Sequence, residues 1–547
     1  MRRVLGALGS LLAAVAAGAA AGPAATAAPP PVREGGEITI VRTVTPDHLD
    51  PALGYSIYAV EPMFYVYTPL LTYRRVAGLG GATLIPGLAE ALPTVSDGGR
   101  TYRLRLRQGL RYSDGRPVLA SDFEHAIKRV LFLGSGASGY FTGIVGADAY
   151  LAAKRPEADI AGIQADDATG DITIRLRARD VVFPNALALT FAAPVPGDTP
   201  FRDMTRTPAP GVGPFKFVGS IPNGGFVLER NEGFSLPGIA RPHLDRIVTR
   251  IVPNPAGVVR DVIAGRADAM FDPPAPALIP LLRARYRARY REHDQLGTGY
   301  TFLNVRTPPF DRRDVRRAVA YAVDDRVLAR LNGGLTAPAC NFLPATMPGY
   351  RRLDPCPYGD PDGPAQIATA QAIVRRAGVE GAAVTVWGVT EDPGPKIAAY
   401  WVGLLNRIGL RARSRILPFD RYNSLMGRQS TRAQIGVGFA WFADFPHPLN
   451  FMFLVDGAVI QPTNNQNAGN VDDPIITRGI AALRREPDLA RVADRWAALD
   501  RRLVDQAYFV GLSTQKVSAL YSTRIDVERC SVVHVVLNND YTRLCLK

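Results

Sequence analysis

Ile435-Gly-Val-Gly-Phe-Ala-Trp-Phe-Ala-Asp444, followed at once by Phe445-Pro-His-Pro448, is the stretch whose reading sets the fold class. An almost wholly apolar run, with aromatics and glycines mixed, reads as a strand buried on both faces of a sheet. Pro446 and Pro448 stop it, because neither has an N–H to give to the ladder. Asp444 is the one charge, placed past the strand end, where open α/β sheets hold their ligands. A desolvated carboxylate needs a cationic partner. Two sources are open: an arginine of the chain, in a structural salt bridge, or a ligand that brings the charge with it.

Working outward, residues 365–377 have helical periodicity and close at Gly378, Ala383-Val-Thr-Val-Trp387 is a strand, and 395–408 is helical and closes at Gly409. A strand over 411–417 and a short helix over 419–427 lead back to 435–442. Such alternation predicts a mostly parallel sheet flanked by helices. Upstream, 314–332 reads as a helix capped by Asp314 and closed by Gly333. Residues 60–71 read as a core helix interrupted near its end by Pro69. Downstream, 458–473 is a polar loop containing Asn464, Asn465, Asn467 and Asn470.

At the N-terminus, Arg2 and Arg3 precede an apolar run over 4–21, and Ala25-Thr-Ala27 is a small-x-small cleavage site, so 1–27 reads as a secretory signal peptide. With no cysteine near that site a lipid anchor is not expected, and the product should be soluble in a periplasm or released from the cell. The remaining stretch of about 520 residues exceeds what one core serves and predicts two or three lobes. The net charge of +14 invites a nucleic-acid reading, yet only six of the 64 basic residues are Lys, and the arginines alternate along strands at 101–107, 171–179 and 410–416. Scattered arginines on solvated sheet faces argue against nucleic acid; attraction to an anionic envelope surface is the other reading of the charge. The four cysteines fall in close pairs, Cys340 with Cys356 and Cys530 with Cys545, which suggests two local disulfides, although four cysteines allow three connectivities. Neither pair has zinc spacing, and no nucleophile elbow, phosphate loop or paired-histidine motif occurs, so no metal, cofactor or enzyme activity is expected.

The most specific stretch is 86–131: Pro86-Gly-Leu-Ala-Glu90, a turn at Asp97-Gly98, the strand Thr101-Tyr-Arg-Leu-Arg-Leu-Arg107, a turn at Asp114-Gly115, and a helix from Ser121. Ser121 and Glu124 have capping-box spacing, and Phe123, Ile127, Val130 and Leu131 make the buried face. This stretch resembles the signature of the family 5 extracellular solute-binding proteins, the receptors of ABC importers for peptides, nickel and related solutes. The resemblance continues in order through Leu49-Asp-Pro51 with Pro69-Leu-Leu71, Gly211-Val-Gly-Pro-Phe-Lys-Phe217 with Val227-Leu-Glu-Arg-Asn231, Leu244-Asp-Arg-Ile-Val248 with Gly265-Arg-Ala-Asp268, and Pro309-Phe-Asp311 with Tyr321-Ala-Val-Asp324.

The resemblance implies an α/β fold of the periplasmic binding protein-like class II, with two main lobes about a hinge and an inserted third domain. Lobe I would comprise 33–66, 191–299 and 509–547, the inserted domain II 67–190, and lobe III 300–508. It also implies a monomeric receptor that passes a peptide to membrane permease and ATPase subunits; a nickel complex, haem, an opine or a sugar is the alternative solute. In the peptide-binding members an acidic residue in a Trp-x-Ala-Asp setting holds the free α-amino group, and Trp441-Phe-Ala-Asp444 matches that setting. Strand-like pairing to the ligand backbone would come from Ala440 and Phe442 on one side and Tyr55, Ser56 and Ile57 on the other. Asn467 is a further candidate from the polar loop. The continuation Phe445-Pro-His-Pro448 is close to the family's common one without being the same, which leaves peptide length and register open.

Overall fold

Three sheets organise the chain. The structure is a computed structural model that describes residues 31–219 and 225–547, so the signal peptide expected at 1–27 lies outside the described residues. In the first sheet, Glu37–Arg42 and Arg246–Ile251 pair in parallel at the centre, with Ala269–Met270, Val227–Arg230 and Phe215–Phe217 completing the order. Ile38, Ile40, Phe215, Leu228 and Ile247 bury their side chains with Met63 and Phe64 of the helix Ile57–Val66. That helix ends earlier than its periodicity suggests, short of Pro69, whose ring disfavours a helical residue before it.

The second sheet, four antiparallel strands in the order Thr94–Ser96, Thr101–Arg105, Asp171–Arg175, Ile163–Asp166, lies within the 86–175 stretch. Phe123, Ile127, Val130 and Leu131 of the helix Ser121–Phe132 are buried as their spacing predicts. The capping box does not form. Asp167 accepts both the N–H and the hydroxyl of Ser121, and Glu124 is drawn away to accept from the Ile160 N–H.

The third sheet has six strands in the order Thr336–Pro338, Phe509–Leu520, Tyr290–Leu303, Ile435–Phe442, Ala383–Val389, Arg411–Leu417. Here the expectation of a mostly parallel sheet is corrected: only the two pairings made by Ala383–Val389 are parallel, and the other three pairings are antiparallel. The alternating units over 383–442 do form, but the two longest strands join them from distant parts of the chain. Tyr290–Leu303 runs across the boundary expected at 299, while Phe509–Leu520 begins at the one expected at 508. Tyr290–Asp294 pairs with Lys516–Leu520 beside the first sheet, where Tyr290 and Leu520 pack with Val41 and Val258. From Thr298 and Thr514 inward the same strands belong to the third sheet, and their pairing lapses between Asp294 and Thr298. A two-strand crossing with a gap in its ladder is where one lobe can bend against another.

Both expected disulfides are present, Cys340 to Cys356 and Cys530 to Cys545. The second staples a C-terminal segment that returns to the first sheet, where Ala269 bridges to Tyr521 and Arg33 to Leu546. Loops closed over 15 residues gain about 3 kcal/mol from lost unfolded-state entropy. Replacing Cys530 and Cys545 together by serine should lower the unfolding free energy by that amount, measured by urea denaturation without reductant.

Candidate functional site

The strand Ile435–Phe442 is not buried on both faces throughout. Ile435, Gly436 and Val437 are buried, but Gly438 and Ala440 are exposed and Phe439, Trp441 and Phe442 half-buried. The change follows from a bulge: between the pairs Phe302↔Gly436 and Tyr300↔Phe439, Val437 and Gly438 stand opposite Thr301 alone. Gly438 takes φ 79°, which only a residue without Cβ adopts at little cost. Past the bulge the strand keeps Tyr290–Leu303 but parts from Ala383–Val389, with which it pairs only at Ile435 and Gly436. The Ala443 N–H donates to Leu296 O at 2.8 Å, so by alternation the N–H groups of Ala440 and Phe442 point the other way, to the vacated edge. Gly438→Ala should cost about 1–2 kcal/mol through backbone strain alone, since its Cβ would meet nothing within 4 Å. Equilibrium unfolding checks it.

Asp444 stands where this edge ends, and three parts of the chain meet on it. Its Oδ2 accepts from Tyr140 OH at 2.6 Å, Asn450 Nδ2 at 3.0 Å and Tyr55 OH at 3.2 Å. Tyr55 belongs to the loop before the helix Ile57–Val66, and Tyr140 to the short turn Ser138–Tyr140 beside the second sheet. Asn450 follows the turn made by Pro446 and Pro448, and its Oδ1 accepts from the Trp441 indole at 3.1 Å and the Asp444 N–H at 2.9 Å. Aromatic rings wall the spot: Tyr55 lies against Phe191, Tyr140 against Phe445 and Trp441 against Phe453. Burial pushes the Asp444 carboxyl above the usual carboxylate range, against the opposing pull of its three donors. Burial and the nearby carboxylate also raise both tyrosine pKa values, so their hydroxyls remain donors.

Among the described residues no Arg, Lys or His lies within ion-pair distance of Asp444, and its Oδ1 receives no hydrogen bond. The salt-bridge reading of this residue therefore fails. One oxygen of this carboxylate is thus taken up by neutral donors, and the other has the capacity to accept a further, charged donor.

Other residues expected at the site differ in how they arrive. The N–H groups of Tyr55 and Ser56 both donate to Asp47 Oδ2, at 3.0 and 3.2 Å, and the Ser56 hydroxyl also goes to Asp47. The facing loop therefore presents the Tyr55 side chain and not those two main-chain donors. Ile57 opens the helix with its side chain exposed. Asn467 is fully buried; its Nδ2 donates to Val471 O and Asp456 O, and its Oδ1 accepts from the Val471 N–H. It closes its own loop and offers nothing to a ligand. His447 is buried against Trp496, accepts from the Leu449 N–H, and is pushed down to about 3 by burial, so it is neutral. Among the described residues no three His, Cys, Asp or Glu side chains are placed to hold a metal ion.

The loop carrying Tyr55 is itself anchored by Asp50. The Arg129 guanidinium meets the Asp50 carboxylate with two hydrogen bonds of 2.9 and 2.7 Å, and the Ala52 and Met204 N–H groups fill its remaining capacity. Both ion-pair side chains are buried. Leu49-Asp-Pro51 and the helix Ser121–Phe132, two of the stretches that carry the family resemblance, are thus one structural unit across the first and second sheets. Between the second and third sheets, Asp180 pairs with Arg484 at 3.4 Å and the Val181 N–H donates to Arg484 O.

Comparison with known proteins bears on the family and the fold. A sequence model of the bacterial extracellular solute-binding proteins, family 5 middle region, matches residues 83–460. The dipeptide-binding protein DppE of Bacillus subtilis strain 168 is 25% identical over 314 residues, 56% of this chain and 55% of that protein, so the match spans about half the relative's length. Heme-binding protein A of Haemophilus influenzae is 25% identical over 458 residues, 77% of each chain. Among solved structures, a clavulanic acid biosynthesis oligopeptide binding protein superposes with a TM-score of 0.83 at 27% identity, covering 94% of this chain and 96% of its own. DppA from Helicobacter pylori in complex with the peptide STSA shares the fold at a TM-score of 0.75 and 19% identity, over 94% and 98% of the chains. With its α/β fold of the periplasmic binding protein-like class II, the chain belongs to the family 5 bacterial extracellular solute-binding proteins.

Proposed function

We propose that this protein is the extracytoplasmic substrate-binding component of an ABC importer, closing about the strand crossing on a peptide with a free α-amino group and passing it to permease and ATPase subunits. The observation that carries this reading is the Asp444 carboxylate: half-buried, free of any cation among the described residues, and open at Oδ1. A peptide ammonium supplies both the charge and the donors that the carboxylate lacks, and a water-poor site strengthens the pair relative to water. The vacated edge at Ala440 and Phe442 suits an extended ligand backbone, whose hydrogen bonds give affinity without reading side chains. Names of relatives support the class: dipeptide, di/tripeptide and glutathione receptors occur among them. Binding without chemistry is part of the proposal, and peptides incubated with the protein should remain intact.

A non-peptide solute is the second reading, favoured by the haem-binding relative that aligns over 77% of this chain. Native mass spectrometry of the purified protein, followed by denaturation and identification of the released molecules, separates the two. A ladder of short peptides with free amino ends is the expected result. A single non-peptide mass would keep the receptor class and overturn the peptide.

A further inference from the structure

Beside the third sheet lies a cavity of about 60 Å³, whose lining includes none of the groups around Asp444. That is several times the ~10–15 Å³ that one water needs. Its walls include the Tyr321 and Tyr358 rings, set at 89° with centroids 5.0 Å apart, the Cys340–Cys356 disulfide and the backbone at Gly511. Tyr358 is held in place by donating its hydroxyl to Asp505 O at 2.7 Å.

One ionisable group in this lining has no partner. Asp325 Oδ1 is shut off from solvent without a hydrogen bond, and among the described residues no donor or cation reaches either oxygen of this carboxylate. The nearest arginine in sequence is committed elsewhere: Arg326 pairs with Asp324, which also caps the following helix through the Val327 N–H. Burial, with the Asp324 and Asp362 carboxylates nearby, pushes Asp325 up to about 8. An ionised carboxylate with nothing to compensate it is costly, so the empty site holds mainly the neutral acid at pH 7 and ionises when a counter-charge arrives; the fold keeps this group at the wall of an aromatic-sided cavity.

We infer that this cavity is a binding site for a small organic ammonium ion, distinct from the peptide site at Asp444. An ammonium head supplies the counter-charge and hydrogen-bond donors that Asp325 lacks, and tyrosine ring faces attract the same charge while accepting the attached carbons. The chemistry does not suit a divalent metal, since no second and third ligand stand beside Asp325 among the described residues. Nor does it suit an anion.

The test uses the full chain carrying Asp444→Asn, so that the cleft carboxylate cannot hold the probe whether or not the peptide reading is correct. The probe is propylammonium chloride, with 1-propanol as its neutral counterpart, and the readout is the amide spectrum of glycine-labelled protein. Gly359, Gly363 and Gly511 line the cavity and report on it. Saturable shifts at these glycines with propylammonium and none with propanol are expected. Adding Asp325→Asn should weaken the apparent affinity by about tenfold or more, and Tyr321→Leu severalfold. Absence of saturable shifts, equal response to propanol, or affinity unchanged in both variants would overturn the inference. Should the Asp325 variant fail to fold, Tyr321→Leu decides alone.

Discussion

Asp444→Asn weakens the binding of peptides with a free α-amino group by two orders of magnitude or more and leaves the empty protein folded. The amide is nearly isosteric, and its oxygen can still accept from Tyr140, Asn450 and Tyr55 at the position of Oδ2. At the position of Oδ1, however, it puts an NH₂ group in front of the ligand ammonium, donor against donor. Breaking a buried pair by removing one charge costs ~3–5 kcal/mol. Acetylating the peptide's amino end removes the other partner, so it should cost wild-type binding a similar amount and the Asp444→Asn variant little more; that non-additivity is the mark of a direct pair. If acetylation and substitution losses simply add, the ammonium does not sit on Asp444. The pH dependence follows with a definite sign. Without ligand, burial holds the carboxyl above its unfolded value, so the ionised form burdens the empty native state above that raised value, and the burden shrinks as pH falls below it and is gone below the unfolded value. A bound ammonium needs the ionised form. Affinity is therefore full above the raised value and declines as pH drops through it, and calorimetry in two buffers should register proton release on binding near that pH.

How much of this is legible in the sequence depends on how local each feature is. The strands Arg411–Leu417 and Ile435–Phe442 have the bounds that their sequence suggests, because each follows a helix closed by glycine or a polar turn and each carries its own pattern. Which strand lies beside which is not local, and so the antiparallel insertion of Tyr290–Leu303 and Phe509–Leu520 leaves no trace in the pattern of either neighbour. Asp444 stands out as the lone charge after an apolar run. Tyr140, 304 residues away, gives no signal in its Ser-Gly-Tyr turn, and Asn450 could be suspected only as an amide brought back by two prolines. Asn467 misleads for a physical reason: an asparagine that closes a buried loop and one that faces a ligand have the same local composition. Ser56 misleads differently, since Asp47, nine residues earlier, takes up the hydrogen bonds that would otherwise meet a ligand.

Asp50→Ala should be among the most destabilising single substitutions in the chain. It leaves the Arg129 guanidinium fully buried with only the carbonyls of Pro200 and Arg202 to face, at a cost of ~3–5 kcal/mol. The Met204 and Ala52 N–H groups lose their acceptor as well. Replacing both ion-pair residues, Asp50→Ala with Arg129→Met, should recover much of the loss, because a buried pair exchanged for apolar groups is often close to neutral. Urea unfolding of the two single variants and the double variant measures this. Peptide affinity should behave differently. Asp50 holds the loop that delivers Tyr55 to Asp444, and the methionine that replaces Arg129 cannot fix that loop's position. The double variant is therefore expected to regain stability without regaining full affinity. Recovery of both together would mean that the Asp50–Arg129 pair contributes only to folding; recovery of stability alone places it in the machinery that brings the lobes onto the ligand.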